Sequence, residues 1–181
     1  MTKMDPNATE RPKQEVLPKG LYPMAIENAE WVEKKNKPGE YQYSVRFTTF
    51  TPEGKNTNMR FFNDPTNAKS QYRLWHLFES VGLSINHHPI PAIRNVPEDP
   101  YDINEGAVCI QLMDRVCLVE VYVGKDLQGE PQNAIADFKP YLLPDGSMAS
   151  QPPLRANVPS QAEQQRSIDA VGNPDNDVRI A

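Results

Sequence analysis

The sequence predicts a mainly β domain of five strands with one helix, flanked by two flexible arms, and three observations carry that expectation. Residues 40–50 alternate apolar and polar side chains cleanly, and residues 55–62 and 115–124 divide into two faces at the same period, that of strands with one buried face. Residues 68–81 repeat their apolar side chains at helical spacing. Both ends of the chain lack any apolar period and are rich in proline and polar residues.

The elements follow in order. Residues 1–19 are polar, broken by Pro6, Pro12 and Pro18, and are expected to form a flexible arm. The first strand, 20–35, puts Tyr22, Met24 and Ile26 on one face and Ala25, Glu27 and Ala29 on the other. It ends in a turn at Pro38-Gly39 that carries Lys34, Lys35 and Lys37, the most basic short run of the chain. In the second strand, 40–50, Tyr41, Tyr43, Val45 and Phe47 are expected inward, with Arg46 outward. After a turn at Pro52-Glu53-Gly54, the third strand, 55–62, turns Met59 and Phe61 inward and Arg60 and Phe62 outward.

Asn63 to Asn67 breaks the strand and offers helix caps. The helix of residues 68–81 has Tyr72, Trp75, Phe78 and Val81 at core spacing, Leu74 and Leu77 beside them, and Gly82 as its C-cap. Residues 86–104, with four prolines, read as a long connection, and residues 105–112 fit either helix or strand. The fourth strand, 115–124, faces Cys117, Val119, Val121 and Val123 one way and Leu118, Glu120 and Tyr122 the other. A turn through Gly129 leads to the fifth strand, 132–139, and residues 142–181 read as a tail rich in Pro, Gln, Ser and Asn. The folded domain is thus expected over residues 20–141. The order β-β-β-α-β-β is that of the OB-fold, a small Greek-key barrel that often binds oligonucleotides on its second and third strands. A different five-stranded α+β sheet would share it.

Composition narrows the chemistry. The 181 residues suffice for one domain with tails, and 38% hydrophobic content with 18 prolines leaves part of the chain outside a core. Cys109 and Cys117 have neither a second pair nor a nearby histidine, so two reduced thiols are expected rather than a disulfide framework or zinc site. No apolar run approaches the roughly 20 residues that span a bilayer, and the first sixteen residues lack the apolar stretch of a secretory signal. A soluble intracellular protein without membrane contact is expected. The net charge is −5, and residues 20–141 hold 12 basic against 16 acidic side chains. Any nucleic-acid site must then be a local patch that combines stacking with phosphate attraction.

Catalytic motifs are absent: there is no phosphate loop, no nucleophile elbow and no recognisable carboxylate pair. His87-His88 near Asp99 and Asp102 lacks a third ligand at metal spacing. No enzyme activity, metal or cofactor is therefore expected. The candidates for nucleic-acid contact are Arg46, Arg60 and Phe62 on the outer face of the second and third strands, Lys34, Lys35 and Lys37 at the first turn, Tyr122, and Trp31. Each has a plainer reading: Phe62 and Tyr122 as covered rings, the lysines as a solvated tip, Trp31 as barrel-edge packing.

A resemblance adds to this. The run Leu17-Pro18-Lys19-Gly20-Leu21-Tyr22-Pro23, then Ile26-Glu27-Asn28-Ala29-Glu30, Gly39-Glu40-Tyr41, Arg60-Phe61-Phe62, residues 77–83 and Asn133-Ala134-Ile135-Ala136-Asp137-Phe138-Lys139-Pro140 resemble a family of small bacteriophage proteins. That family is found among phage replication and recombination genes, and some members are taken to be single-stranded DNA-binding proteins. The resemblance covers residues 17–141. It implies a single-stranded DNA partner, the cytoplasm of an infected bacterial host as the place of action, and replication or recombination proteins as partners of the tail. It brings no set of binding residues with it. The tail, ending Asp175-Asn176-Asp177-Val178-Arg179-Ile180-Ala181, departs from the acidic, aromatic-ended tails of such proteins. A structural or adaptor module of a phage particle or replication complex, with its termini folding on a protein partner, is the other expectation. Open strand edges also make a homo-oligomer an expectation.

Overall fold

The computed structural model describes Met4, residues 16–50 and residues 56–149. Its long strands are β1 (Gly20–Glu33), β2 (Tyr41–Phe50), β3 (Asn56–Asn63), β6 (Val116–Lys125) and β7 (Pro131–Lys139). They form one sheet in the order β3-β2-β1-β6-β7, antiparallel throughout. Two helices, α1 (Gln71–Ser80) and α2 (Glu105–Leu112), and a two-residue ribbon of β4 (Ser84–Ile85) with β5 (His88–Pro89) lie between β3 and β6.

The alternation read from the sequence sets the inner face. Tyr43, Val45 and Phe47 of β2, Met59 and Phe61 of β3, and Cys117, Val119 and Val121 of β6 are buried together with Ile135 and Phe138 of β7. β1 changes face midway. A bulge between Ile26 and Asn28 inserts one residue into its ladder with β2. Tyr22, Met24 and Ile26 point inward before it and Ala29 after it, so Ala29 joins the core, contrary to uninterrupted alternation.

The sheet curls until its two edges meet through side chains. Phe138 of β7 lies edge-on to Phe61 of β3 at 4.9 Å and stacks on Phe47 of β2 at 5.5 Å. Among the described residues no ladder joins β3 to β7, so the sheet keeps two edges and the expected barrel is present only as a curled five-stranded sheet.

Helix α1 packs on β7 and buries Leu74, Leu77 and Phe78, with Val81 just past its end. It ends where expected. Gly82 takes φ +78°, and the Leu83 amide donates back to the Phe78 carbonyl at 2.8 Å. Its buried stripe is rotated from the expected one: Tyr72, placed with the core from its spacing, is 52% exposed. Residues 105–112 prove helical, correcting the one-helix expectation. The Asn104 side chain caps the helix by accepting from the Ala107 amide at 2.9 Å, and Val108 and Leu112, four residues apart, fill the core beside β1.

Three boundaries also move. Leu17, assigned to the arm, is a core residue: its amide donates to Asn133 Oδ1 and its carbonyl accepts from Asn133 Nδ2, both at 2.8 Å. Tyr41, expected inward, is 45% exposed because it opens its strand at the margin of the core, and Val123, on the same face as the buried Val121, is 47% exposed near the end of its own. Residues 141–149 fold back through a bridge between Leu142 and Met148 rather than starting the tail. The flexible character expected of residues 1–15, apart from Met4, and of residues 150–181 falls outside the described residues. No helix among the described residues is long and apolar enough to cross a membrane.

Candidate nucleic-acid interface

Where the two edges of the curled sheet approach without pairing, they leave a groove of about 790 Å³. β2 and β3 line one side with Arg46, Arg60 and Phe62. β6 and β7 line the other with Tyr122 and the run Pro131–Ile135, and α1 adds Arg73. The hairpin register explains the first side. Arg46 lies directly opposite Arg60, and Ser44 opposite Phe62, so both arginines and the ring share the outer face of β2 and β3. On the second side Tyr122 pairs with Ala134 and likewise points away from the core.

Phe62 is 50% and Tyr122 43% exposed, so neither ring is covered by a helix or by the Pro-rich connection. A half-exposed ring has a free face on which a base can stack. Among the described residues the groove lining contains three arginines and no carboxylate, in a chain of net charge −5. The nearest counter-charge for Arg46 comes from the rim, where Glu27 Oε2 stands 3.3 Å from Nε and also accepts from Thr48 Oγ1 at 2.9 Å. Arg60 is exposed and has no ion-pair partner among the described residues.

Four of the eight expected residues, Arg46, Arg60, Phe62 and Tyr122, therefore meet in one groove. The other four do not line it. Trp31 belongs to the core margin, edge-on to Tyr43 at 4.8 Å and stacked on Tyr41 at 6.1 Å. Lys34 is committed to two carboxylates, Asp64 at 2.5 Å and Glu40 at 3.0 Å. The pairing with Asp64 raises the Lys34 pKa, and the Lys34 hydrogen bond, followed by that of Thr66, holds the Asp64 carboxyl at about 2. Lys37 lies 4.0 Å from the same Glu40, and Lys35 is exposed on the turn. Arg73, the third arginine of the groove, is not among the residues expected from the sequence, where it is one polar position of an amphipathic helix. Nothing local signals that α1 would lay it against β7.

Both cysteines and two of the histidines are held by burial or by pairing. Burial pushes the Cys109 thiol up to about 11 and raises Cys117 further, which keeps both protonated and unreactive at neutral pH. His76 Nδ1 lies 2.7 Å from Asp137 Oδ1 and joins α1 to β7, while His87 pairs with Glu79 at 3.2 Å. Among the described residues no cluster of three His, Cys, Asp or Glu side chains is arranged to hold a metal ion.

Fold and groove together define a mainly β domain built on a curled five-stranded antiparallel sheet, with arginines and half-exposed rings gathered at its seam. No protein-family model matches the chain, and no curated protein matches it in sequence.

Proposed function

We propose that this is a non-enzymatic single-stranded DNA-binding protein of a bacteriophage, acting in replication or recombination through base stacking and phosphate contacts without sequence preference. The observation that carries the reading is the seam groove, where three arginines and two half-exposed rings meet without a carboxylate among the described residues of the lining. Single strands suit such a groove because unpaired bases present their faces to the rings, whereas a duplex hides them in its stack. The sheet is read as an open relative of the OB-fold. Its long strands follow the order third, second, first, fourth, fifth, with helices between the third and fourth, and its second and third strands carry two of the groove arginines. The phage setting rests on the sequence segments between residues 17 and 141 that resemble the phage family.

Titration of fluorescent oligo(dT) against duplex of equal length, at two salt concentrations, tests the proposal. The single strand is expected to bind more tightly, with affinity falling steeply as salt rises. Absence of oligo(dT) binding at low salt rejects it. A protein-adaptor role for residues 150–181 is separated in the same series. Their removal is expected to leave oligo(dT) affinity within about twofold, as every described residue that lines the groove lies within residues 16–135.

A further inference from the structure

The groove holds one arginine that the β2–β3 hairpin does not supply. Arg73 stands on α1 and reaches the same space as Arg46 and Arg60. Its guanidinium lies over the Phe61 ring, Cζ 5.9 Å from the centroid, which holds the planar group in place before any ligand arrives. Nη1 donates to the Ile135 carbonyl at a long 3.4 Å. No carboxylate among the described residues pairs with it. Asp137, two residues beyond Ile135 on β7, is taken by His76.

Two further observations mark the cluster as incomplete. The Nε atom of Arg73 is shielded from solvent without a hydrogen-bond partner among the described residues, which costs free energy as long as it stays unsatisfied, and Arg46 Nε, 3.3 Å from Glu27 Oε2, makes no hydrogen bond of good geometry there. Arg46 also faces Arg60 directly across the ladder, a like-charge pairing that destabilises a sheet. One anion with several acceptor oxygens, seated among the guanidiniums, relieves both.

We infer that Arg73 is a phosphate-binding residue, which with Arg46 and Arg60 forms a single oxyanion site at the β3–β7 seam for one phosphodiester of the bound strand. The inference rests on the single-strand reading above and adds the helix to an interface otherwise made of strands. Phe62 and Tyr122 then take bases on either side of the anchored phosphate.

The test is the salt dependence of oligo(dT) binding by the full chain, by Arg73→Gln and by Arg73→Lys, with the thermal midpoint of each protein measured alongside. Arg73→Gln is expected to weaken binding about tenfold and to lower the slope of log affinity against log salt by about one, the signature of one lost phosphate contact. Arg73→Lys keeps the charge but not the fork, so several-fold weaker binding at unchanged slope is expected. If Arg73→Gln leaves affinity and slope unchanged, whatever its thermal midpoint, Arg73 only braces α1 against β7 and the inference fails. Should Arg73→Gln not fold, Arg73→Lys decides, and wild-type affinity in that variant overturns the inference. Binding that is lost in Arg46→Glu with Arg60→Glu but untouched in Arg73→Gln removes Arg73 alone. A wild-type protein that binds no oligo(dT) removes the single-strand reading and this inference with it.

Discussion

The lysine-rich turn between β1 and β2 and the arginine groove at the β3–β7 seam are both basic, yet they treat their charge in opposite ways. At the turn, Lys34 bridges Glu40 and Asp64, and Lys37 shares Glu40, so two of three cations have carboxylates at hand. In the groove, Arg60 and Arg73 have no carboxylate partner among the described residues and Arg46 has one only at the rim. The denser basic run in the sequence is thus the more fully compensated one, and the proposed function makes it the weaker anion site. Anion affinity follows from charge left uncompensated in a concave surface, where the field is focused and water is partly excluded. A solvated ion pair at a turn tip is worth little to stability and offers little to a ligand.

The comparison breaks most readily at the hairpin arginines. Arg46→Glu with Arg60→Glu is expected to lower oligo(dT) affinity by roughly a hundredfold or more at low salt, since two phosphate contacts become repulsions. Unchanged binding in a titration would place the site elsewhere. Next in size are the rings. Phe62→Ala and Tyr122→Ala should each lose about 1–3 kcal/mol of binding, the worth of one stacked base, with little change in thermal midpoint because both rings are half exposed. Loss of stability without loss of binding would make them packing residues.

At the turn, Lys35→Ala with Lys37→Ala should change affinity by no more than about twofold to threefold and leave the salt slope nearly intact. A tenfold loss would erase the distinction between the two clusters. The smallest effect concerns the turn's own ion pair. Asp64 is held at about 2 against an ordinary 3.8, chiefly by its bond from Lys34. A carboxyl lowered on folding stabilises the native state above its unfolded value and loses that contribution as pH falls towards its folded one. The gap in thermal midpoint between wild type and Asp64→Asn should therefore be full near neutral pH and close between about pH 4 and 2. A gap that does not vary with pH would show that Asp64 acts through its turn with Thr66 alone.

Much of the scaffold was legible because its cause is local. Alternation placed Val45, Phe47, Met59 and Phe61 inward, and the same two-residue period put Arg46, Arg60 and Phe62 on one outer face. Gly82 marked the end of α1 because few other residues accept its positive φ. The eight residues of α2 were too few for periodicity to choose between helix and strand, and the choice fell to the Asn104 cap and to packing against β1. The bulge in β1 was hidden because one inserted residue reverses every later face without altering composition.

The candidate site divides along the same line. The sequence by itself determined which side chains the hairpin turns outward, since strand geometry fixes direction residue by residue. Only the tertiary structure decided which outward charges remain uncompensated, because that depends on residues distant along the chain. Asp64 closes on Lys34 across thirty residues, while curling of the sheet brings Tyr122 and the start of β7 to the hairpin and α1 delivers Arg73 to the same seam. A site made by the approach of two sheet edges has no period of its own, so it takes form only once the sheet has curled.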